Sequence, residues 1–129
     1  MNKYKVLLIM SRKIVSDCLI AQADTSSSFK FQAEHDYAAA VQSAIKYDPA
    51  IVIVEVPESG IYRLTERCLQ IADEIKKYLP RVKRLLLCSE RDAESSRAAI
   101  RAKQEKRIDD FLFYDASVKF LFSKLEALI

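Results

Sequence analysis

Short apolar runs alternate with longer amphipathic stretches along the whole chain. Residues 5–10 (KVLLIM) and 51–56 (IVIVEV) are apolar at nearly every position, which is typical of strands buried on both faces of a parallel sheet. The predicted strands are 5–10, 29–34, 51–56, 84–88 and 111–114. The predicted helices, which follow them in turn, are 13–23, 37–47, 61–79, 93–106 and 117–128.

This alternation predicts an α/β protein with a parallel sheet, helices on both faces and right-handed crossovers. The length of 129 residues suits a single domain, 1–129. The weak strand 29–34 fits an edge, while 5–10 and 51–56 fit the centre. We therefore expect a flavodoxin-like three-layer (βα)5 fold with strand order 2-1-3-4-5, whose ligands would bind beyond the carboxyl ends of the strands.

Composition excludes several kinds of site. Gly60 is the only glycine, whereas dinucleotide fingerprints and P-loops each need at least two. The only histidine, His35, has no cysteine or acidic pair placed with it, so neither a metal site nor a catalytic triad is expected. Ser11-Arg12-Lys13 is a poor phosphate loop for a flavin. We expect no metal, no cofactor and no enzymatic activity.

The cysteines and the hydropathy of the chain indicate the cellular compartment of the protein. Cys18, Cys68 and Cys88 lie far apart, each within an apolar run, which predicts buried, reduced thiols. No apolar stretch is long enough to cross a membrane. These features together predict a soluble protein of the reducing cytoplasm.

The residues at the carboxyl ends of the strands carry a family resemblance. Met10 and Ser11 lie at the end of the first strand, Glu55 lies at the end of the third, Ser89 follows the fourth and Tyr114 ends the fifth. With residues 48–57 (DPAIVIVEVP) and 108–112 (IDDFL), this layout resembles the receiver domain of two-component response regulators over essentially the whole chain.

The resemblance implies a role for each position. It places Glu55 where receivers carry the phosphorylated aspartate, Ser89 at the family's Thr or Ser, and Phe111 at its switch aromatic residue. Met10 and Ser11 replace the acidic pair that holds Mg²⁺ in the family, and Tyr114 replaces its lysine.

These replacements predict a pseudo-receiver that functions by protein contacts and is not phosphorylated. A thioether and one hydroxyl cannot supply the hard oxygen ligands of Mg²⁺, and phosphoryl transfer depends on that cation. Two interpretations of Glu55 stay open: an anion that mimics the phosphorylated state, or a solvated carboxylate paired with a nearby base. The candidate bases are Arg12, Lys13 and Arg91.

The alternative function is a phosphorelay receiver of a transcription regulator that still takes phosphate. The acceptor would then be an unorthodox residue such as Ser89 or Asp115. In either interpretation the partner is another protein or an output domain.

Basic residues concentrate near the amino ends of the predicted strands. The candidate anion-binding patch consists of Lys76, Lys77, Arg81, Lys83, Arg84, Lys103, Lys106 and Arg107. Such a patch is suited to a phosphate backbone or an acidic protein surface. Acidic residues lie close by and no aromatic stacking pattern accompanies the patch, so nucleic acid is the less favoured partner.

A dense group of phenylalanines marks a possible contact surface. Helical periodicity leaves Phe120 on the outward side of the last helix, close to the strand that carries Phe111. The resemblance implies a homodimer through the fourth helix, the fifth strand and the fifth helix. The competing interpretation is a single exposed phenylalanine with no partner.

Overall fold

The five strands and the helices between them follow the predicted order. The computed structural model describes residues 3–26 and 28–129. The strands are β1 (Tyr4–Ile9), β2 (Phe29–Glu34), β3 (Ile51–Glu55), β4 (Lys83–Cys88) and β5 (Asp110–Phe113). The α-helices are α1 (Lys13–Ser26), α2 (Ala40–Tyr47), α3 (Thr65–Tyr78), α4 (Ala93–Gln104) and α5 (Val118–Leu128), and the 3₁₀ turns are Tyr37–Ala39 and Ile61–Arg63.

All strand pairs are parallel, and the order β2-β1-β3-β4-β5 confirms the predicted topology. The central strands β1 and β3 are buried on both faces, as their apolar sequences require. Alternation divides the core into two layers. Leu7 and Val52 pack toward α2, α3 and α4, whereas Leu8 and Ile53 pack toward α1 and α5.

Side-chain caps fix where the elements after the strands begin. Asp36 accepts a hydrogen bond from the backbone N–H of Ala38, Asp92 from two N–H groups of α4, and Ser117 from one N–H group of α5. Each side chain satisfies helical N–H groups that have no partner within the helix. The caps therefore set the lengths of the loops at the carboxyl edge.

The predicted helix 61–79 is interrupted near its start. Ile61–Arg63 forms a 3₁₀ turn, Leu64 is extended, and α3 begins only at Thr65. The interruption leaves both Ile61 and Leu64 exposed, although helical spacing predicts that Leu64 faces the core.

Helical spacing predicts that Ile14, Cys18 and Ala21 share the inner face of α1 with Val15 and Leu19, and this prediction is wrong in part. Ile14, Cys18 and Ala21 are exposed, whereas Leu19 and Ala23 face the core. Ser16 takes an inner position because its hydroxyl donates to the Lys13 carbonyl at 2.9 Å, so that the polar group is satisfied within the helix. The buried stripe is consequently rotated relative to the one the apolar residues predict.

The cysteines do not all share one environment. Cys68 and Cys88 are buried, as predicted, but Cys18 is exposed, and all three are free thiols. Burial, followed by the nearby charge of Glu55, raises the pKa of Cys68 to about 12. Burial, followed by the charge of Asp92, raises the pKa of Cys88 to about 11.

Among the described helices, none combines the length and the apolar character that crossing a bilayer requires.

We expect a thiol reagent to modify Cys18 rapidly in the native protein and the two buried cysteines only on unfolding. Thiolate is the reactive form, and both burial and a raised pKa suppress it at Cys68 and Cys88. Intact mass after a short exposure to iodoacetamide measures the outcome. Cys18→Ser should abolish the fast reaction, whereas fast labelling of Cys68 would contradict the buried environment.

Candidate functional site

The carboxylate of Glu55 is the most constrained group at the carboxyl edge of the sheet. The residue is fully buried at the end of β3. Its Oε1 accepts hydrogen bonds from the Ser11 backbone N–H at 2.9 Å, the Ser11 hydroxyl at 3.0 Å and the Arg12 backbone N–H at 3.4 Å. Its Oε2 accepts from Nε and Nη2 of Arg12, both at 2.8 Å. The first residues after β1 thus hold both oxygens.

Strand register explains why these residues meet. β1 and β3 are neighbours, and Ile9 lies opposite Val54. The chain that leaves β1 therefore passes directly over Glu55. Of the two interpretations of Glu55 left open above, the structure has the pairing with a base, and the base is Arg12. The carboxylate is buried, however, and not solvated as that interpretation expects. A carboxylate in this position needs a charged partner, because its hydration is lost.

Met10 does not contribute a side chain to the site. Its thioether side chain is buried in the core layer beneath α1 and α5. Only its carbonyl oxygen is directed toward the edge, where it accepts a hydrogen bond from Nδ1 of His35 at 2.8 Å. The residue that takes part beside Ser11 is Arg12, one position beyond the predicted pair.

Tyr114 covers Arg12 from the other side. The guanidinium carbon lies 4.6 Å from the centre of the Tyr114 ring, within the range of a cation–π contact. Burial and then the negative charge of Glu55 raise the pKa of Tyr114 above its ordinary value. Tyr114 therefore places an uncharged ring at the position where, according to the resemblance, receivers carry a lysine.

Tyr37 is a site residue that the sequence did not reveal. Its buried hydroxyl donates to the backbone carbonyl of Glu55 and lies 3.3 Å from the carbonyl of Ile9. Burial and the Glu55 charge raise its pKa well above the ordinary value. Its ring centre is 5.0 Å from that of Tyr62. The only sequence signal is a tyrosine one residue after the capping Asp36.

These groups surround a cavity of about 460 Å³. It is lined by Ser11, Arg12, His35, Asp36, Tyr37, Glu55, Pro57, Glu58, Ser59, Tyr62 and Tyr114. Of the predicted site residues, the structure brings Ser11, Glu55 and Tyr114 together here. Over residues 3–26 and 28–129, no group of three or more His, Cys, Asp or Glu side chains is placed to hold a metal ion.

Ser89 lies in a different cavity. Together with Thr65 and Ser95 it lines a cleft of about 670 Å³ that Tyr114 also borders. Its hydroxyl accepts a hydrogen bond from the Arg91 backbone N–H at 3.2 Å. The polar contacts described for the Glu55 carboxylate are with Ser11 and Arg12, and Ser89 takes no part in them.

Asp115 is exposed next to a second carboxylate. A hydrogen bond with Asp115, and then its negative charge, raises the pKa of Glu90. The nearby carboxylate therefore opposes the ionisation of Glu90.

The predicted contact residues lie where the last helix meets the sheet edge. Phe111 is partly buried and packs edge-to-face on Phe113 at 5.7 Å. Phe120 is half-exposed, with Nζ of Lys124 5.6 Å from its ring centre. Lys124 also pairs with Asp110 at 2.7 Å. These residues border a groove of about 450 Å³.

The candidate anion-binding patch does not form one open surface. Arg84 is buried, donates to the Lys106 carbonyl at 3.0 Å and lies 3.7 Å from Asp109. Arg107 is occupied by Glu66 and Asp73, both at 2.7 Å. Lys103 pairs with Asp110 at 3.1 Å, and Lys77 lies 3.4 Å from Glu74. Arg81, Lys83 and Lys106 remain exposed, and Lys76 donates to the Val82 carbonyl.

The chain was compared with known proteins. No protein-family model matches the sequence, and no curated protein matches it. Many solved structures match the fold of this chain, and they include a DNA-binding response regulator and signal receiver domains. The chain has the receiver-domain fold. The resemblance inferred from the residues is confirmed at that level.

Three similar structures illustrate the match. An adenylate cyclase from Rhodopirellula baltica superposes with a TM-score of 0.82 at 16% identity, over 98% of this chain and 87% of that one. A DNA-binding response regulator of the LuxR family from Staphylococcus aureus gives 0.76 at 13% identity, over 97% and 98%. The signal receiver domain of a diguanylate cyclase from Desulfovibrio desulfuricans G20 gives 0.76 at 18% identity, over 99% and 94%. At these identities the likeness concerns the fold.

Replacing Arg12 with methionine in this receiver-fold chain should destabilise it by on the order of 3 kcal/mol, because a buried carboxylate is left without its charged partner. Urea-induced unfolding measures the loss.

Arg91→Met is the matched control, because Arg91 is exposed, and it should change stability little. The double variant Arg12→Met/Glu55→Gln should recover much of the loss by removing the buried charge. Equal stability of Arg12→Met and Arg91→Met would contradict the role given to the Glu55–Arg12 pair.

Proposed function

We propose that this chain is a receiver-like signalling module that functions through protein contacts, without phosphorylation of Glu55 and without catalysis. The supporting observation is the Glu55–Arg12 ion pair. Donors from Ser11 and Arg12 already occupy the carboxylate oxygens that correspond to the acceptor in receivers. A nucleophilic oxygen held in this way is poorly placed to attack a phosphodonor.

The residues present also fit Mg²⁺ poorly. The Met10 side chain is directed into the core, and the Ser11 hydroxyl is occupied by Glu55. The Arg12 guanidinium, 2.8 Å from Oε2 of Glu55, supplies the positive charge that a metal would supply. A divalent cation would have to displace this side chain and overcome its repulsion, with few oxygen ligands to gain.

We expect no stable phosphorylation when the protein is incubated with a small acyl-phosphate donor and Mg²⁺. Intact mass at low temperature measures the incorporated phosphate, and a receiver with the acidic pair, aspartate and lysine serves as the positive control. Phosphate on Glu55 would overturn the proposal. Phosphate that Ser89→Ala or Asp115→Asn abolishes would replace it with the alternative function, a receiver phosphorylated on an unorthodox residue.

The contact surface we propose is the face formed by α4, β5 and α5, through which two copies would form a homodimer. It presents the half-exposed Phe120 beside a shallow groove. Asp110 lies between Lys103 and Lys124 and pairs with both, so the same face offers aromatic surface and ordered charges. Such a combination is common in protein interfaces.

Phe120→Asp should lower the solution mass from dimer to monomer, because it places a charge in the apolar centre of this face. Light scattering coupled to size-exclusion chromatography measures the mass. Ile14→Asp is the matched control, since Ile14 is an exposed aliphatic residue on α1 and its replacement should leave the dimer intact. A wild-type chain that is monomeric would contradict the dimer but not the absence of phosphorylation.

A further inference from the structure

The carboxyl edge of the sheet carries an exposed apolar tip with acidic neighbours. We define the acidic tip as Glu58, Ile61, Leu64 and Glu94. Ile61 is 60% exposed and Leu64 52%. They are three residues apart and flank the same turn, which the Leu64 backbone N–H closes by donating to the Ile61 carbonyl at 3.4 Å. Leu64 borders one cleft with Glu58 and Glu94.

The charge of the acidic tip is offset only in part by its own arginine. Arg63 lies between the two aliphatic residues and lines the same cleft as the two carboxylates, with its guanidinium donating to the Gly60 carbonyl at 3.3 Å. One positive charge stands against two negative ones. Neither Glu58 nor Glu94 has an ion pair among the described residues. The tip therefore presents aliphatic surface next to unpaired negative charge.

The opposite, amino edge carries an apolar groove of about 620 Å³. The basic groove is lined by Tyr4, Asp48, Pro49, Ala50, Tyr78, Leu79, Pro80, Arg81, Val82, Lys83, Leu128 and Ile129. Tyr4 is 48% exposed and Tyr78 57%. Arg81 and Lys83 are exposed at its border, and no ion pair is described for either.

Neither the acidic tip nor the basic groove overlaps the α4–β5–α5 face. No lining residue of the groove beside Phe120 belongs to the acidic tip or to the basic groove. Solvent-exposed clusters of large apolar side chains with a polar border are typical of interaction sites. The two surfaces match each other in apolar character and are opposite in charge, and they lie at opposite ends of the same molecule.

We propose that the acidic tip of one copy docks into the basic groove of the next, so that copies associate head to tail. Ile61 and Leu64 would pack against Tyr4 and Tyr78, which replaces exposed apolar surface on both copies. Glu58 and Glu94 would lie next to Arg81 and Lys83, which selects the orientation.

This contact joins two different surfaces, and each pair of copies still has a free tip and a free groove. Association therefore continues past the dimer as protein concentration rises. The apolar part of the contact consists of four exposed side chains, Ile61, Leu64, Tyr4 and Tyr78, so we expect a weak contact, and its charged border makes it weaker at high salt. The inference does not depend on whether the chain is phosphorylated.

Sedimentation velocity on chains carrying Phe120→Asp tests the proposal without a contribution from the α4–β5–α5 face. This parent, a monomer in dilute solution, should form species beyond the dimer at high concentration and low salt. A tip variant, Ile61→Ser/Leu64→Ser, and a groove variant, Tyr78→Ser/Arg81→Ser, should each remain monomeric. Their equimolar mixture should form a dimer and stop there, because only one functional tip and one functional groove remain.

The double variant Ile14→Ser/Ile100→Ser is the matched control. Both residues are exposed aliphatic side chains outside the tip and the groove, and the variant should associate like the parent. Circular dichroism shows that each variant folds.

A parent that stays monomeric up to millimolar concentration at low salt would overturn the proposal. So would variants that associate on their own, or a mixture that forms no dimer. A monomeric parent that binds a short acidic peptide or single-stranded DNA through Tyr78 and Arg81 would assign the basic groove to that occupant instead.

Discussion

A single buried carboxylate organises the carboxyl edge of this protein. Burying a charged carboxylate costs several kcal/mol unless it is paired and hydrogen-bonded, and Glu55 has no exposed surface. The path of the chain after β1 satisfies this requirement, because it aims the Ser11 donors and the Arg12 guanidinium at both oxygens. Tyr114 then covers the guanidinium. Tyr37 fixes the end of β3 by donating to the Glu55 carbonyl. The buried carboxylate therefore accounts for the positions of Ser11 and Arg12, and through Arg12 for that of Tyr114.

The same constraint decides which chemistry the edge can support. A metal-dependent phosphoryl transfer needs a cation that can exchange its ligands and a carboxylate oxygen that is free to attack. Arg12 is a cation that the chain itself supplies, with two of its N–H groups 2.8 Å from Oε2 of Glu55. Donors from Ser11 hold the other oxygen, and this arrangement supports the function proposed above.

The fold was predictable because it depends on local patterns that tolerate small errors. The apolar sequences of β1 and β3 identify the centre of the sheet, and Asp36 and Asp92 mark where helical structure begins. The site was predictable only in part. Glu55 follows from its place at the end of β3, but its partner Arg12 is separated from it by 43 positions, and only the strand register brings the two together. Met10 does not line the site, because successive side chains at the end of β1 are directed to opposite faces of the sheet and that of Met10 is directed into the core.

The two ends of the sheet illustrate why net charge describes this chain poorly. The formal net charge is +3, yet the lysine and arginine side chains have very different environments. Arg107, which follows α4, forms ion pairs with Glu66 and Asp73 of α3, and Arg84 is buried beside Asp109, so both are engaged within the fold. Arg81 and Lys83 stay exposed beside Tyr4 and Tyr78, two tyrosines that are far apart in the sequence but border one groove. The aromatic neighbours of the basic residues are thus a product of the tertiary structure. They become visible only when β1, the end of α3 and the start of β4 are placed side by side.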